Sequence, residues 1–136
     1  MDIADSGQAI LRGNGQVTHL FYEKYLGRYP EVARFFAETD MSHQAVMLRM
    51  ALTMVEQYYR HRYEAMEEYL RIVGFRHKRM EIPPNLYDDW RDCMLDTLQE
   101  FHGEDWSDSL KQQWTEAVDL AVDRMLEGYE LKEATF

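Results

Sequence analysis

The spacing of apolar residues constrains the fold of this chain more than any other feature. Between its few glycines and prolines, apolar residues recur at intervals of three and four, and no segment shows the period of two that is typical of a strand. The segment from about residue 41 to residue 60 carries two such stripes. One consists of Gln44, Leu48, Ala51, Leu52, Val55 and Tyr59, and the other of Met47, Met50, Met54 and Tyr58. A helix that is apolar around so much of its circumference is expected to be covered on two sides. The sequence therefore predicts an all-α domain.

The interruptions divide the chain into about seven helices, five longer and two short. We expect a short first helix within residues 5–12, and helices over about 15–27, 41–60, 62–77 and 84–102. A last helix follows a cap at Asp105 or Ser107, and a helical turn begins at Pro30. Thr39 or Asp40 is expected to cap the helix that begins at Met41. The loops are short, so neighbouring helices should pack directly against each other.

Composition narrows the class of protein. A chain of 136 residues, 46% of them hydrophobic, fits one domain over residues 1–136 with a real core. The net charge of −10 disfavours nucleic acid and anionic membranes as partners. The N-terminus lacks a signal-peptide pattern, and no apolar run approaches the roughly 20 residues that cross a bilayer. One cysteine, Cys93, lies on an apolar stripe and is expected to be an inert buried thiol. A cytoplasmic protein fits best.

The segment from Val73 to Trp90 is the richest in functional information. It places His77 near the end of one helix, an apolar Ile82 five residues later, and then a Pro-Pro pair that begins the next helix. This order suits a histidine that binds the iron of a flat porphyrin while the following helix closes over the edge of the ring. An imidazole is the usual axial ligand of oxygen-binding haem. Read alone, however, a single histidine on an apolar stripe is more often a core or surface residue.

Three motifs together resemble the globin family, specifically single-domain bacterial haemoglobins and the haem domain of flavohaemoglobins. The first is Gly74-x-x-His77 with the spacing to Ile82, Pro84 and Tyr87. The second runs from Phe21-Tyr22-Glu23-Lys24 through Tyr29-Pro30 to Phe36, and the third is Gln44-x-x-x-Leu48. Trp114 also matches a tryptophan that is common in the family's last helix. The resemblance covers about residues 17–126 and implies a globin fold, with a haem pocket between the helices that bear Gln44 and His77.

The resemblance also implies roles for individual residues. His77 becomes the proximal ligand of haem b, and Tyr22 and Gln44 become a distal pair that stabilises bound oxygen. Phe36 becomes the phenylalanine that wedges against the haem, and Leu48 the apolar wall beside the bound gas. Val73 and Ile82 are placed to pack on the porphyrin and its edge, and Tyr87 is a further residue of the cofactor site. Bound dioxygen gains partial negative charge, so a phenol O–H and an amide N–H aimed at it favour binding by about 1–1.5 kcal/mol each. Without the resemblance, Tyr22 and Phe36 read as ordinary core residues and Gln44 as a solvated first-turn residue.

Two alternatives stay open. A shift of one residue would aim His43 rather than Gln44 at the iron and give a six-coordinate, bis-histidine haem. In flavohaemoglobins a tyrosine and a glutamate hold the proximal histidine and make it a stronger electron donor. Tyr87 matches that tyrosine, but ungapped counting from Trp114 puts Tyr129 in the glutamate's place. Glu127 and Glu130 lie nearby as candidate substitutes.

The expected function is therefore binding of O2, with NO or CO as further ligands, at a five-coordinate iron. The resemblance also implies dioxygenation of NO to nitrate, which needs electrons because the iron ends ferric. No reductase motif follows the helical domain, so we expect any reductase to be a separate chain. An alternative is a gas-sensing or regulatory globin-like module, either six-coordinate through His43 or free of haem.

Overall fold

The computed structural model describes residues 1–132, and this part of the chain folds into helices without a strand. The six α-helices are α1 (Ile3–Arg12), α2 (Gln16–Arg28), α3 (Met41–His61), α4 (Glu64–Arg79), α5 (Leu86–His102) and α6 (Asp108–Tyr129). Two 3₁₀ helices, Pro30–Phe36 and Gly103–Asp105, join α2 to α3 and α5 to α6. The predicted all-α class is confirmed.

Side-chain caps set several helix starts. Asp40 accepts hydrogen bonds from the backbone N–H groups of Ser42 and His43, so it caps α3 as one of the two residues that the sequence offered. Ser107 accepts from the N–H of Leu110 and caps α6. The first helix begins at Ile3, two residues earlier than predicted, because Asp2 and Asp5 form a reciprocal capping box.

The core lies where α2, α3, α5 and α6 meet. Its largest fully buried side chains include Phe21, Leu52, Met94, Leu98 and Trp114. Cys93 is fully buried as well, as expected from the sequence, and burial raises the pKa of its thiol to about 11. Among residues 1–132, no helix combines the length and the apolar character needed to span a membrane.

The predicted cover over the second apolar stripe of α3 is wrong. Met47 and Met50 are 40% and 59% exposed, and only Tyr58 at the far end of the stripe is buried. The reason is that α4 packs mainly along α6 and touches α3 only sparsely. Met50 and Met54 of this stripe therefore line a surface groove with Met66 and Tyr69. The two helices that bear Gln44 and His77 therefore pack against each other only sparsely.

Candidate functional site

Contact between two helix backbones positions the histidine of α4. A Cβ atom on Gly74 would lie 1.8 Å from the carbonyl oxygen of Met125, and one on Gly128 would lie 2.1 Å from that of Arg71. Only glycine permits so close an approach. These two contacts fix α4 against α6 in both height and rotation. His77 follows Gly74 by three residues, so its place relative to α6 is set by the same contact.

The tight loop after α4 then brings the following residues back next to His77. Glu81 adopts a left-handed conformation with φ of 61°, and the N–H of Ile82 donates to the carbonyl of His77 over 3.0 Å. Helix α5 begins four residues later, at Leu86, and carries the buried Tyr87 in its first turn. The start of α5 therefore places the phenol of Tyr87 beside the imidazole of His77.

The two ring nitrogens of His77 have different surroundings. Nδ1 lies 2.7 Å from the hydroxyl oxygen of Tyr87, and the two rings stack with their centroids 5.9 Å apart. Nε2 makes no hydrogen bond with any of residues 1–132. Burial lowers the pKa of His77, so the imidazole is neutral near pH 7. A neutral imidazole with one nitrogen held and the other free is the usual state of a metal-binding histidine.

Tyr129 extends this contact in place of the glutamate of flavohaemoglobins. The hydroxyl oxygens of Tyr87 and Tyr129 lie 3.2 Å apart, and Tyr129 donates to the carbonyl of Ile82 over 2.8 Å. Burial is the main cause that raises the pKa of both phenols, so both keep their protons. Ungapped counting from Trp114 leads to this position, but nothing in the sequence favours a phenol there over a neighbouring carboxylate.

Neither candidate glutamate joins the contact. Glu127 instead accepts a hydrogen bond from Nε of Arg71 at 2.7 Å and pairs with Arg124 at 2.9 Å. Glu130 is exposed at the end of α6. The histidine is therefore backed by neutral phenols rather than by a carboxylate.

Tyr22 and Gln44 are brought together on the α2 and α3 side. Nε2 of Gln44 donates to the hydroxyl oxygen of Tyr22 over 3.0 Å. Burial raises the pKa of Tyr22, partly offset by the bond from Gln44, so the phenol keeps its proton. Gln44 does not use that proton, which leaves it available to an acceptor. The ring of Phe36 packs edge-on against Tyr22 with centroids 5.7 Å apart. His43 is exposed, so Gln44 is the residue that faces inward.

The other predicted wall residues are apolar and mostly half-buried. Leu48 is buried, whereas Phe36, Val73 and Ile82 keep surface that a bound group would cover. The set therefore fits a haem: one neutral imidazole with a free nitrogen, an apolar wall, and a protonated phenol. Within residues 1–132, no three side chains of the His, Cys, Asp and Glu types gather where they would hold a bare metal ion.

A second buried polar cluster was missed in the sequence. Ser6 on α1 lies with its Oγ 2.6 Å from Nε2 of His102, and it accepts a hydrogen bond from Nε1 of Trp114 over 2.9 Å. Both Ser6 and His102 are buried. The signal was the position of His102 four residues after the buried Leu98, on the apolar face of α5. This cluster ties α1 to the core and lies apart from His77.

Comparisons with known proteins bear on the fold of the chain. The family profile named Globin matches residues 19–125. Among solved structures, the chain is similar to a Pseudomonas aeruginosa PAO1 protein described as structurally highly homologous to a human hemoglobin. The TM-score is 0.74 and the sequence identity 25%, with 91% of this chain and 98% of that chain covered. No curated protein sequence matches the chain.

Proposed function

This chain belongs to the globin family, and on that premise we propose that it binds one haem b through His77 and holds O2 reversibly on the side of Tyr22 and Gln44. The observation that carries the proposal is the asymmetry of His77. Its Nδ1 is held by Tyr87, whereas its Nε2 is free of hydrogen bonds among residues 1–132. When bound, the haem would supply a ferrous iron with one open position for a diatomic gas.

The residues on the proximal side hold and orient the ligand. Tyr87 fixes the rotation of the imidazole by a hydrogen bond and by stacking, so Nε2 presents its lone pair in one direction. The Gly74 and Gly128 contacts keep that direction constant relative to α6. Phe36, Leu48, Val73 and Ile82 would pack on the porphyrin and exclude water from its faces.

The residues on the distal side favour a gas that carries partial negative charge. The O–H of Tyr22 is the free donor, and Gln44 orients it by donating to its oxygen. One such hydrogen bond in a dry pocket adds about 1–1.5 kcal/mol to binding, or roughly tenfold in affinity. O2 gains more from this donor than CO does, because bound O2 is the more polar ligand. NO and CO would bind to the same position.

The test is haem retention by matched histidine variants. Purified protein is mixed with haemin, freed of excess haemin by gel filtration, and examined by visible absorption. We expect one haem per chain in the wild type and in His43→Ala, and loss of haem in His77→Ala. On reduction, the wild type should give a five-coordinate ferrous spectrum that changes reversibly with O2. Equal retention by His77→Ala would refute the proximal assignment. A six-coordinate ferrous spectrum abolished by His43→Ala would replace the open site with a bis-histidine one.

A further inference from the structure

We propose that the hydrogen-bond relay behind His77 has a single proton order, set by Tyr129, which fixes the imidazole as its Nδ1–H tautomer and leaves the lone pair of Nε2 free. The relay consists of His77, Tyr87, Tyr129 and the carbonyl of Ile82. This inference deepens the proposed function, since the free lone pair is what would bind iron. It makes Tyr129 a positioning residue that acts on the iron ligand through Tyr87.

The order follows from the last member of the relay. A backbone carbonyl has no proton and can only accept a hydrogen bond. The hydroxyl of Tyr129 lies 2.8 Å from the carbonyl of Ile82, so the one phenol proton of Tyr129 is used there. The oxygen of Tyr129 is then left to act as an acceptor. Its other neighbour in the relay is the hydroxyl of Tyr87 at 3.2 Å, so Tyr87 is the donor in that contact.

The position of the proton on His77 follows from Tyr87 in the same way. Tyr87 has given its proton to Tyr129, so its oxygen can only accept from Nδ1 of His77, which lies 2.7 Å away. A neutral imidazole carries one N–H and one bare nitrogen. With the proton on Nδ1, the bare nitrogen is Nε2. Each of the three contacts then has one donor and one acceptor, and no proton is shared between two of them.

The relay begins at the side chain of His77 and ends at Ile82, which is itself hydrogen-bonded to the backbone of His77. The N–H of Ile82 donates to the backbone carbonyl of His77 over 3.0 Å, while the carbonyl of Ile82 receives the proton of Tyr129. The side chain and the backbone of His77 are thus joined through one hydrogen-bonded circuit. This circuit holds the imidazole without help from a charged group.

The end of the relay decides how strongly His77 donates electrons. A carboxylate behind the histidine would draw the Nδ1 proton toward itself and give the imidazole anionic character. Here the last acceptor is a neutral carbonyl, and Glu127 is engaged by Arg71 and Arg124 instead. The imidazole therefore donates as a neutral base. That favours reversible gas binding over NO dioxygenation, which the stronger donor of flavohaemoglobins would serve.

The test reads the tautomer directly in the full chain without haem. Protein labelled with ¹⁵N histidine is examined by two-bond ¹H–¹⁵N correlation at about pH 8, above the ordinary histidine pKa of about 6.5. The signal of His77 among the five histidines is assigned from its loss in His77→Gln. We expect a protonated Nδ1 and a bare Nε2 in the wild type. A protonated Nε2 in the wild type would overturn the proposal.

Variants separate Tyr129 from a merely structural role. In Tyr129→Phe the proton of Tyr87 loses its acceptor and turns to Nδ1, so the tautomer should reverse to Nε2–H. In Tyr87→Phe the imidazole loses its partner and should become a mixture. Tyr59→Phe, which removes a surface phenol bonded to Glu116, should change nothing. An unchanged tautomer in folded Tyr129→Phe would refute the inference. If that variant fails to fold by circular dichroism, a protonated Nε2 in the wild type or an unchanged tautomer in Tyr87→Phe would still refute the inference.

A second measurement uses the haem-loaded ferrous protein. Resonance Raman spectra should show a lower iron–histidine stretching frequency in Tyr87→Phe, because the Nδ1 proton loses its acceptor. A smaller decrease is expected in Tyr129→Phe, because the oxygen of Tyr87 becomes a poorer acceptor once its own proton is unpartnered. Equal frequencies in all three proteins would show that the relay does not act on the ligand. Failure to bind haem would refute the proposed function and leave the tautomer result intact, so the two failures are distinguishable.

Discussion

Gln44 and Tyr22 act as one unit, because the amide of Gln44 donates to the phenol oxygen of Tyr22 over 3.0 Å. The sequence predicted two independent donors to a bound gas. The structure has a sequential pair instead, in which the amide orients the phenol and the phenol O–H remains free. Because one of the two amide N–H groups of Gln44 is already bonded to Tyr22, only the other could donate to the bound gas.

The distal pair predicts unequal and non-additive effects on oxygen release. Tyr22→Phe removes the free donor and should speed O2 release by about tenfold. Gln44→Leu keeps that donor but lets it turn, so a smaller increase is expected. The double variant should release O2 little faster than Tyr22→Phe alone, because residues that act through each other are not additive. Stopped-flow displacement of O2 by CO measures all three rates. If the fold increase in the double variant equals the product of the two single fold increases, Tyr22 and Gln44 are independent donors.

The glycine contact between α4 and α6 predicts a large cost for one added methyl group. Gly74→Ala would place its Cβ 1.8 Å from a backbone oxygen, so the helices must separate. We expect a loss of about 3 kcal/mol or more in the free energy of unfolding. Gly27→Ala is the matched control, since nothing lies within 4 Å of its added Cβ in the last turn of α2. That change should be neutral or gain up to about 1 kcal/mol. Urea denaturation followed by circular dichroism compares them, and equal stabilities would contradict the close contact.

The Ser6–His102 contact predicts a loss of stability in mild acid. Burial lowers the pKa of His102 below its ordinary value of 6.5, and the charge of Asp105 opposes this shift in part. Below pH 6.5 the unfolded chain therefore binds a proton at this residue before the folded chain does. The stability that the neutral histidine supports is complete above about pH 6.5 and is lost as the pH falls toward the lowered folded-state pKa.

Urea denaturation between about pH 7.5 and pH 5 measures this effect. The free energy of unfolding should fall more steeply in the wild type than in His102→Gln, which has no proton to gain at that position. His77→Gln serves as the comparison, because the pKa of His77 is also lowered by burial. Parallel curves for the wild type and His102→Gln would assign the acid sensitivity to other groups.

Removal of haem should weaken the fold. A ligand at about 1,000 times its dissociation constant adds roughly 4 kcal/mol to the free energy of unfolding. The haem-free chain should therefore melt at a lower temperature than the loaded chain, and the difference should disappear in His77→Ala. Differential scanning calorimetry of both forms measures it. A loaded protein that melts together with the haem-free protein would show that the haem is not bound by the native fold.

Much of the architecture was readable from the sequence because it depends on local signals. Helix periodicity, the prolines at 30 and 84, and the acidic and hydroxyl caps gave the helix order, and most boundaries lie within two or three residues of those predicted. The resemblance to globins, rather than local pattern, named Tyr22, Gln44, His77 and Tyr87, which the structure joins in two hydrogen-bonded pairs.

The remaining features depend on how distant segments meet. The exposure of Met47 and Met50 follows from α4 lying against α6, which no spacing within α3 encodes. The hydrogen bond of Tyr129 to Ile82 depends on the height of α6 relative to that loop, and Gly74 and Gly128 set this height. A glycine reads in a sequence as a turn or a break, so the backbone contact of this pair was not apparent before the fold was known.

The glycine crossing limits which changes in length the last helix tolerates. One residue inserted between Ser107 and Gly128 would rotate everything beyond it by about 100° and advance it by about 1.5 Å. Gly128 would then leave α4, and the phenol of Tyr129 would swing away from the loop in the same step. Insertions and deletions in homologous chains should therefore collect in the α5–α6 connection or past the end of α6, and the interior of the helix should keep a constant residue count.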